Sequence, residues 1–439
     1  MHNENTYQHQ GKSSFSLKGI LLNIDTVSFF IILLLLTIGL TLVATVSPAI
    51  GERINVPSFY FIHKQLIFVA IFVPILLFFA NISERAVKFF GLVGFFITLF
   101  LMMILPFCGY AAKGSVRWFS LWGFSIQPSE FFKPFYVVVT AMILTRNTEE
   151  NCFKVTQLDR RLKDIESKNR AQIFISENIL EHPYPEPHTH HAAQGKKSNG
   201  NDSSRKFLPC FVLHIIISTL LLLEPDLGMA ITISFVTITQ MFVAGLSWRW
   251  ISITSAVFIS CLVGAYLTLP HVEKRIGAFF GNDSTSYQVK KSLESYVNGG
   301  WLGTGPGEGK VKYSLPDSHT DFIFAVAGEE MGIIFCISII LIISYFIFRG
   351  TQNLLRLREP YLIYSGIGML MYLAFQSLFN IGMTLRLFPA KGMTLPFMSY
   401  GGSSLLSFAI MMGIYLNVTK KTNTTWIHFK KPHVKLTVS

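Results

Sequence analysis

The chain has 439 residues, 51% of them hydrophobic and only 14% charged, with 40 Phe and a formal net charge of +12 at pH 7. Its length would allow two or three soluble domains, but uncharged apolar runs of about 20 residues recur along it, enough helix to cross a ~30 Å hydrocarbon core, and they exclude that class. The positive charge lies between the apolar runs and in the C-terminal tail, with no basic face interleaved with aromatics, so it excludes nucleic acid as a partner and fits basic loops on a membrane protein.

Residues 1–26 are polar without a cleavable signal pattern, which predicts a cytoplasmic tail and a first helix that acts as the membrane signal. Apolar segments follow near 27–49, 60–80, 87–108, 131–146, 207–223, 228–246, 250–269, 321–348, 359–381 and 397–418. These runs are continuous rather than alternating, so helices rather than a barrel satisfy the backbone in lipid. The expectation is an all-α polytopic membrane protein of about ten transmembrane helices, four within 27–146 and six within 207–418. Lys and Arg in the short connecting segments favour an N-in, C-in orientation. That places the long loop 270–320, between helices seven and eight, outside the cytoplasm, and makes 419–439 a basic cytoplasmic tail.

The polar insert 147–206 mixes both charges and then runs through a Pro/His and a Gly/Lys/Ser/Asn tract. Too little of it is apolar to fold alone, so it reads as a flexible cytoplasmic linker with a short helix near 155–180. His182, His188, His190 and His191 offer metal ligands there, against a bland reading as solvated linker. The five cysteines are scattered, with no CxxC pair and no disulfide framework.

Polar groups at membrane depth are costly, which makes them candidates for function. The first group is Lys113, Arg117 and Trp118, then Gln127-Pro128-Ser129-Glu130 and Lys133. Pro128 suits a helix start, and Glu130 and Lys133 at i, i+3 share a face; the alternatives are a structural ion pair or a basic cavity for a diphosphate with Trp118 along a sugar or isoprenoid. The second is the turn Glu224-Pro225-Asp226-Leu227-Gly228, in which Asp226 can cap the next helix or help hold a cation.

The third group fills the loop at 270–320. Gly303, Gly305, Gly307 and Gly309 precede Lys310, but Val311 follows it and position 304 is not glycine, so no Walker A pattern is present. The run reads as a mobile arm. His319, Thr320 and Asp321 follow, with Asp321 expected in the first turn of an outward-starting helix and Glu329 and Glu330 two to three turns deeper. The fourth group is Asn380 and Arg386, then Lys391, then Ser399-Tyr400-Gly401-Gly402-Ser403-Ser404, where small residues opening a helix suit close packing or an anion.

Together these motifs resemble the SEDS family of peptidoglycan glycosyltransferases, the FtsW/RodA/SpoVE type. The carriers are Ser-Leu-Pro-Asp-Ser-His-Thr-Asp-Phe at 314–322 with Gly-Glu-Glu at 328–330, Gln-Pro-Ser-Glu at 127–130, Glu-Pro-Asp-Leu-Gly at 224–228 and Leu-Pro-Phe-Met-Ser-Tyr-Gly-Gly-Ser-Ser at 395–404. The resemblance covers nearly all ten segments and leaves out the termini and the 147–206 insert. Lys-Gly-Met-Thr-Leu-Pro at 391–396 looks more like the cell-division (FtsW) branch than the elongation (RodA) branch. Many members carry Glu where Asp317 stands, and the insert is longer than expected.

The resemblance implies polymerisation of lipid II into β-1,4-linked glycan strands with release of undecaprenyl diphosphate. It further implies a cognate class B penicillin-binding protein transpeptidase and other divisome proteins as partners, at the septum of a bacterial inner membrane. Asp321 falls on the family's catalytic aspartate, and Glu130 and Lys133 on its central cavity. Substrate binding is then expected from Arg117, Trp118, Glu130, Lys133, His319, Thr320, Arg386, Lys391 and Ser403. A divalent cation, Mg or Mn, is the one cofactor expected, with its ligands unassigned and no organic cofactor. Alternatives from other classes are a lipid II flippase and a non-catalytic divisome scaffold. A transporter should show charges at the bilayer midplane and an inverted repeat, whereas here the charges gather at the outer edge and no repeat is visible.

Overall fold

The computed structural model describes residues 24–112, 115–121, 124–146, 207–224, 226–268, 277, 284–389 and 392–420. Lys113, Lys391, the insert 147–206 with its histidines, both tails and part of 270–283 lie outside the described residues.

Helices lie under all ten apolar segments. We label them α1 (Thr26–Arg53), α2 (Tyr60–Asn81), α3 (Glu84–Cys108), α4 (128–146), α5 (Leu208–Leu223), α6 (Leu227–Val243), α7 (Trp248–Thr268), α8 (Ser284–Gly299), α9 (Ile323–Glu330), α10 (Gly332–Leu354), α11 (Pro360–Thr384) and α12 (Gly402–Val418). Five of them (α1, α2, α3, α10 and α11) are long and apolar enough to cross a membrane by length and composition. The molecule is therefore a multi-pass helical membrane protein. Ser83 caps α3 through the Ala86 N–H, and Asp226 caps α6 through the Met229 N–H at 3.2 Å, the capping role its position suggested.

The innermost elements are α11 and α12. Tyr372 of α11 and Phe408 and Tyr415 of α12 are fully buried among apolar neighbours. Elsewhere the apolar side chains split between core and surface: on α10, Ile339, Ile343 and Phe346 are buried while Ile334, Leu341, Tyr345 and Phe348 are exposed. A helix apolar all round is one that meets protein on one side and lipid on the other.

Three departures from the sequence expectation shape the site. Between α3 and α4 the chain forms a three-stranded antiparallel sheet, β1 (Tyr110–Ala112), β2 (Ser115–Leu121) and β3 (Phe124–Ile126), in the order β1-β2-β3. Its register pairs Tyr110 with Trp118 and Phe119 with Ile126. The fold is thus not purely α.

Second, the segment expected as one helix over 321–348 is two. Gly332 has φ +83, a left-handed conformation that glycine tolerates, and it breaks α9 from α10. A Cβ at Gly332 would overlap the backbone at Trp301 and Gly303, and one at Gly303 would overlap that of Glu330. Glu329 and Glu330 are consequently the last residues of an eight-residue helix, not groups deep in a long one.

Third, the 270–320 stretch is not a simple loop: it contains α8 and a short 3-10 turn at Val311–Tyr313. Its glycine run is not a mobile arm either. Gly303, Gly305 and Gly307 adopt positive φ, and the run is stapled to α9 by Thr304 N–H to Glu329 O (2.9 Å) and Gly305 N–H to Glu330 O (3.0 Å).

Candidate active site

A cavity of about 530 Å³ opens among the β-hairpin, α4, the α5–α6 turn, the turn at 317–322, α11 and the start of α12. Its floor is set by α4. The Glu130–Lys133 spacing puts both groups on one face, and Lys133 Nζ meets Glu130 Oε2 at 2.6 Å. Lys133 is 1% exposed. A buried ammonium needs its remaining donors matched, and Gln376 Oε1 accepts at 3.1 Å while the Tyr372 ring face lies 5.2 Å away. Gln376 also donates to Thr394 O (2.8 Å), linking α11 to the segment before α12.

On one wall the strand β2 carries Arg117 and Trp118. Arg117 Nε donates to Glu224 O (3.2 Å) and its Nη1 lies 3.7 Å from Asp226 Oδ2, so the α5–α6 turn orients this cation at the cavity edge. The Glu224 carboxyl is buried; burial, with Asp226 nearby and only partly offset by Arg117, pushes its pKa up to about 8.

The opposite wall is the turn that bears Asp321. Asp317 takes φ +55, a left-handed conformation that Asp tolerates better than most side chains, and its carbonyl accepts from the N–H groups of Thr320, Asp321 and Phe322 at 3.1–3.2 Å. Asp321 therefore sits in a tight turn just ahead of α9, whose N-cap is Phe322, rather than within a helical first turn. Asn380 of α11 holds the Asp321 carbonyl (2.9 Å) and the Met393 carbonyl (2.5 Å) together. Gly392 faces the Asp321 carboxylate so closely that a Cβ there would lie 2.9 Å from Oδ2. The His319 ring packs on Phe61 and Tyr400 at centroid distances of 4.7 and 5.3 Å, and its carbonyl accepts from the Tyr400 N–H.

Behind this turn, Glu329 accepts from the N–H groups of Lys310 and Val311 (both 2.9 Å). Lys312 Nζ reaches Glu330 Oε1 (2.6 Å), Gly307 O (2.7 Å) and Thr45 O of α1 (3.0 Å). Arg53 of α1 donates to Leu315 O (3.1 Å). The segment leading into this turn is thus tied to α1 through Lys312 and Arg53.

Arg117, Trp118, Glu130, Lys133, His319, Thr320, Asp321 and Ser403 all line the cavity. Ser403 is tied to the hairpin, accepting from the Gln127 N–H and donating to Ser125 O (both 3.2 Å). Arg386 is different: it lies on the exposed turn after α11, outside the lining. Sequence reasoning passed over Gln376 and Gly392. Gln376 and Asn380, at i and i+4 in an apolar helix, were the available signal. The lining is of mixed charge. Among the described residues it holds four acidic side chains, Glu130, Asp226, Asp317 and Asp321, against two basic ones, Arg117 and Lys133.

The chain is thus a membrane-type helical bundle with a broken helix and a cavity lined by both acidic and basic side chains. Residues 25–175 and 188–424 match the family model for cell cycle proteins of the FtsW/RodA/SpoVE type. The chain belongs to that family. It is 30% identical over 393 residues to a probable peptidoglycan glycosyltransferase FtsW of Caulobacter vibrioides, covering 88% of this chain and 87% of the relative. It is also 30% identical over 405 residues to stage V sporulation protein E of Bacillus subtilis, covering 90% and 97%. In fold it is similar to a chain of a peptidoglycan synthase complex (TM-score 0.65, 20% identity, covering 90% of this chain and 97% of the other). The rod shape determining protein RodA of Thermus thermophilus gives a TM-score of 0.59 at 20% identity, covering 90% and 96%.

Proposed function

We propose that this chain is a peptidoglycan glycosyltransferase that polymerises lipid II into glycan strands during septal wall synthesis, with Asp321 as general base. The observation that carries the assignment is the placement of Asp321, with His319 and Thr320, on the wall of the same cavity that holds the buried Lys133–Glu130 pair. The acceptor 4-hydroxyl loses its proton to the Asp321 carboxylate as its oxygen bonds to C1 of the donor sugar. The bond from C1 to the diphosphate breaks, and undecaprenyl diphosphate leaves with the electron pair. Attack opposite the leaving group turns an α-linked donor into a β-1,4 linkage. General base catalysis contributes ~10²–10⁴-fold, and stabilisation of the departing charge usually contributes more.

Arg117 at the rim and Lys133 at the floor face that charge. Both already contact carboxylates, so a diphosphate in this cavity gains from an added cation. Among the described residues no three His, Cys, Asp or Glu side chains cluster to hold a metal. A divalent cation would be held by a lining carboxylate other than the base, Asp317 foremost, as Mg²⁺ is usually bound through one or two carboxylates. When bound it would supply charge neutralisation to the diphosphate. Lys391 and Arg386 are assigned to the approach of the anionic headgroup, and Trp118 to the sugar or isoprenoid.

The ten apolar segments are read as ten spans, N-in and C-in, in the bacterial inner membrane, which puts the cavity mouth on the outer face where lipid-linked sugars are used. The partner is a class B penicillin-binding protein transpeptidase within the divisome, a reading supported by the fold's likeness to a chain of a peptidoglycan synthase complex. Incubating the purified chain and its transpeptidase with lipid II in detergent tests the reading. Glycan strands are expected. Substrate left unpolymerised in detergent, together with movement of lipid II across vesicles, would replace the polymerase by a flippase.

A further inference from the structure

Among the described residues three glutamines line the cavity, Gln127, Gln288 and Gln376. Two of them are already committed. Gln127 Nε2 donates to Ser129 Oγ (3.0 Å), and Gln376 joins Lys133 Nζ (3.1 Å) to Thr394 O (2.8 Å). Gln288 is not: among the described residues its half-buried side-chain amide makes no hydrogen bond. A primary amide carries two donors and an acceptor, and on a cavity wall those left without protein partners are open to a polar ligand.

The backbone that carries Gln288 is fixed against the wall of Asp321. On α8, Gln288, Ser292 and Tyr296 recur every fourth residue and so share one face. Ser292 Oγ donates to Thr384 O of α11, and the Tyr296 hydroxyl bonds Thr384 Oγ1, both at 2.8 Å. Next to Gln288, the Tyr287 hydroxyl donates to Ser314 O (3.4 Å), on the segment that leads into the Asp321 turn. Phe322 and Met383 pack in one buried cluster against Tyr296, and both also line the cavity. Helix α8, the Asp321 turn and the end of α11 therefore form one wall, and Gln288 stands on it with Asp317 and Asp321. Arg117 and Trp118 belong to the hairpin wall across the cavity.

This placement separates the two sugars. The leaving diphosphate belongs to the donor and falls to Arg117 and Lys133, whereas the attacking 4-hydroxyl belongs to the acceptor and falls to Asp321. We propose that Gln288 is an acceptor-site residue, whose amide hydrogen-bonds the 3- or 6-hydroxyl that flanks the reacting 4-hydroxyl of the acceptor sugar. The assignment rests on the polymerase reading. A hydroxyl both donates and accepts, as a primary amide does, so the two match without a charge. Neutrality matters on this wall. Asp317 and Asp321 already line it, and a further carboxylate in place of Gln288 would oppose the ionised base.

A single coupling by the full chain with its transpeptidase partner in detergent tests this. The donor is fluorescent lipid II without its terminal 4-hydroxyl, which cannot accept. The acceptor is lipid II with a methylene in place of its anomeric oxygen, which cannot donate. Gln288→Ala and the nearly isosteric Gln288→Met are expected to melt like wild type. Both should raise the half-saturating acceptor concentration about three- to tenfold, the yield of one neutral hydrogen bond, and leave that of the donor unchanged. An acceptor lacking either the 3- or the 6-hydroxyl should erase the difference between wild type and variants, and the one that does so identifies the hydroxyl. An unchanged acceptor dependence, a shift shared equally by donor and acceptor, or a difference that survives both deoxy acceptors overturns the assignment, while wild-type coupling upholds the polymerase reading. Loss of thermal stability in both variants overturns it equally, since it would give Gln288 a structural role. No labelled product from wild type refutes the polymerase reading and the assignment with it.

Discussion

Lys312 Nζ and Glu330 Oε1 lie 2.6 Å apart, with side chains 2% and 0% exposed, and join the glycine run to the end of α9. A buried pair is costly to break from one side, because the survivor keeps its charge without its partner. Lys312→Met is expected to destabilise the protein by ~3–5 kcal/mol and to slow polymerisation, whereas Lys312→Met with Glu330→Leu recovers most of the stability. Thermal unfolding in detergent measures both.

The Gly392 site makes a finer test of how Asp321 is aimed. Gly392→Ala places a methyl 2.9 Å from Asp321 Oδ2, and the flexible carboxylate rather than the backbone gives way. The variant should keep the wild-type melting temperature and lose about tenfold or more in kcat, in line with the sensitivity of catalysis to misplaced groups. An unchanged rate would mean that Asp321 does not act from its present rotamer.

Glu224 gives a pH prediction. Its folded pKa of about 8 stands above the ordinary carboxylate value, so the folded state holds a proton that the unfolded state releases. Below about pH 4.5 both states are protonated and the burial cost vanishes; it grows as pH rises and is complete above about pH 8. Glu224→Gln should therefore match wild type near pH 5 and be increasingly more stable than it towards pH 8. Parallel melting curves across that range check the sign.

Much of this was legible in the sequence. Lys133 and Glu130 could be paired from their i, i+3 spacing alone, Asp226 could be placed as a cap from its position before an apolar run, and the helices followed from continuous apolar runs. The β-hairpin was not legible, because its two short outer strands of three residues carry little pattern beside the helices around them. The fate of Glu329 and Glu330 turned on one backbone angle at Gly332. Four alternate glycines are as consistent with a loose arm as with a close backbone contact, and only the partner segment decides. The hydrogen bond from Lys133 to Gln376 Oε1 likewise joins residues 243 positions apart, beyond the reach of any local pattern.

The role proposed for Asp321 is removal of the acceptor proton. The direct measurement is the rate of lipid II polymerisation by Asp321→Asn, purified with its transpeptidase partner and shown to melt like wild type. A fall of ~10²–10⁴-fold is expected, with lipid II still bound. Strands made at the wild-type rate would contradict it.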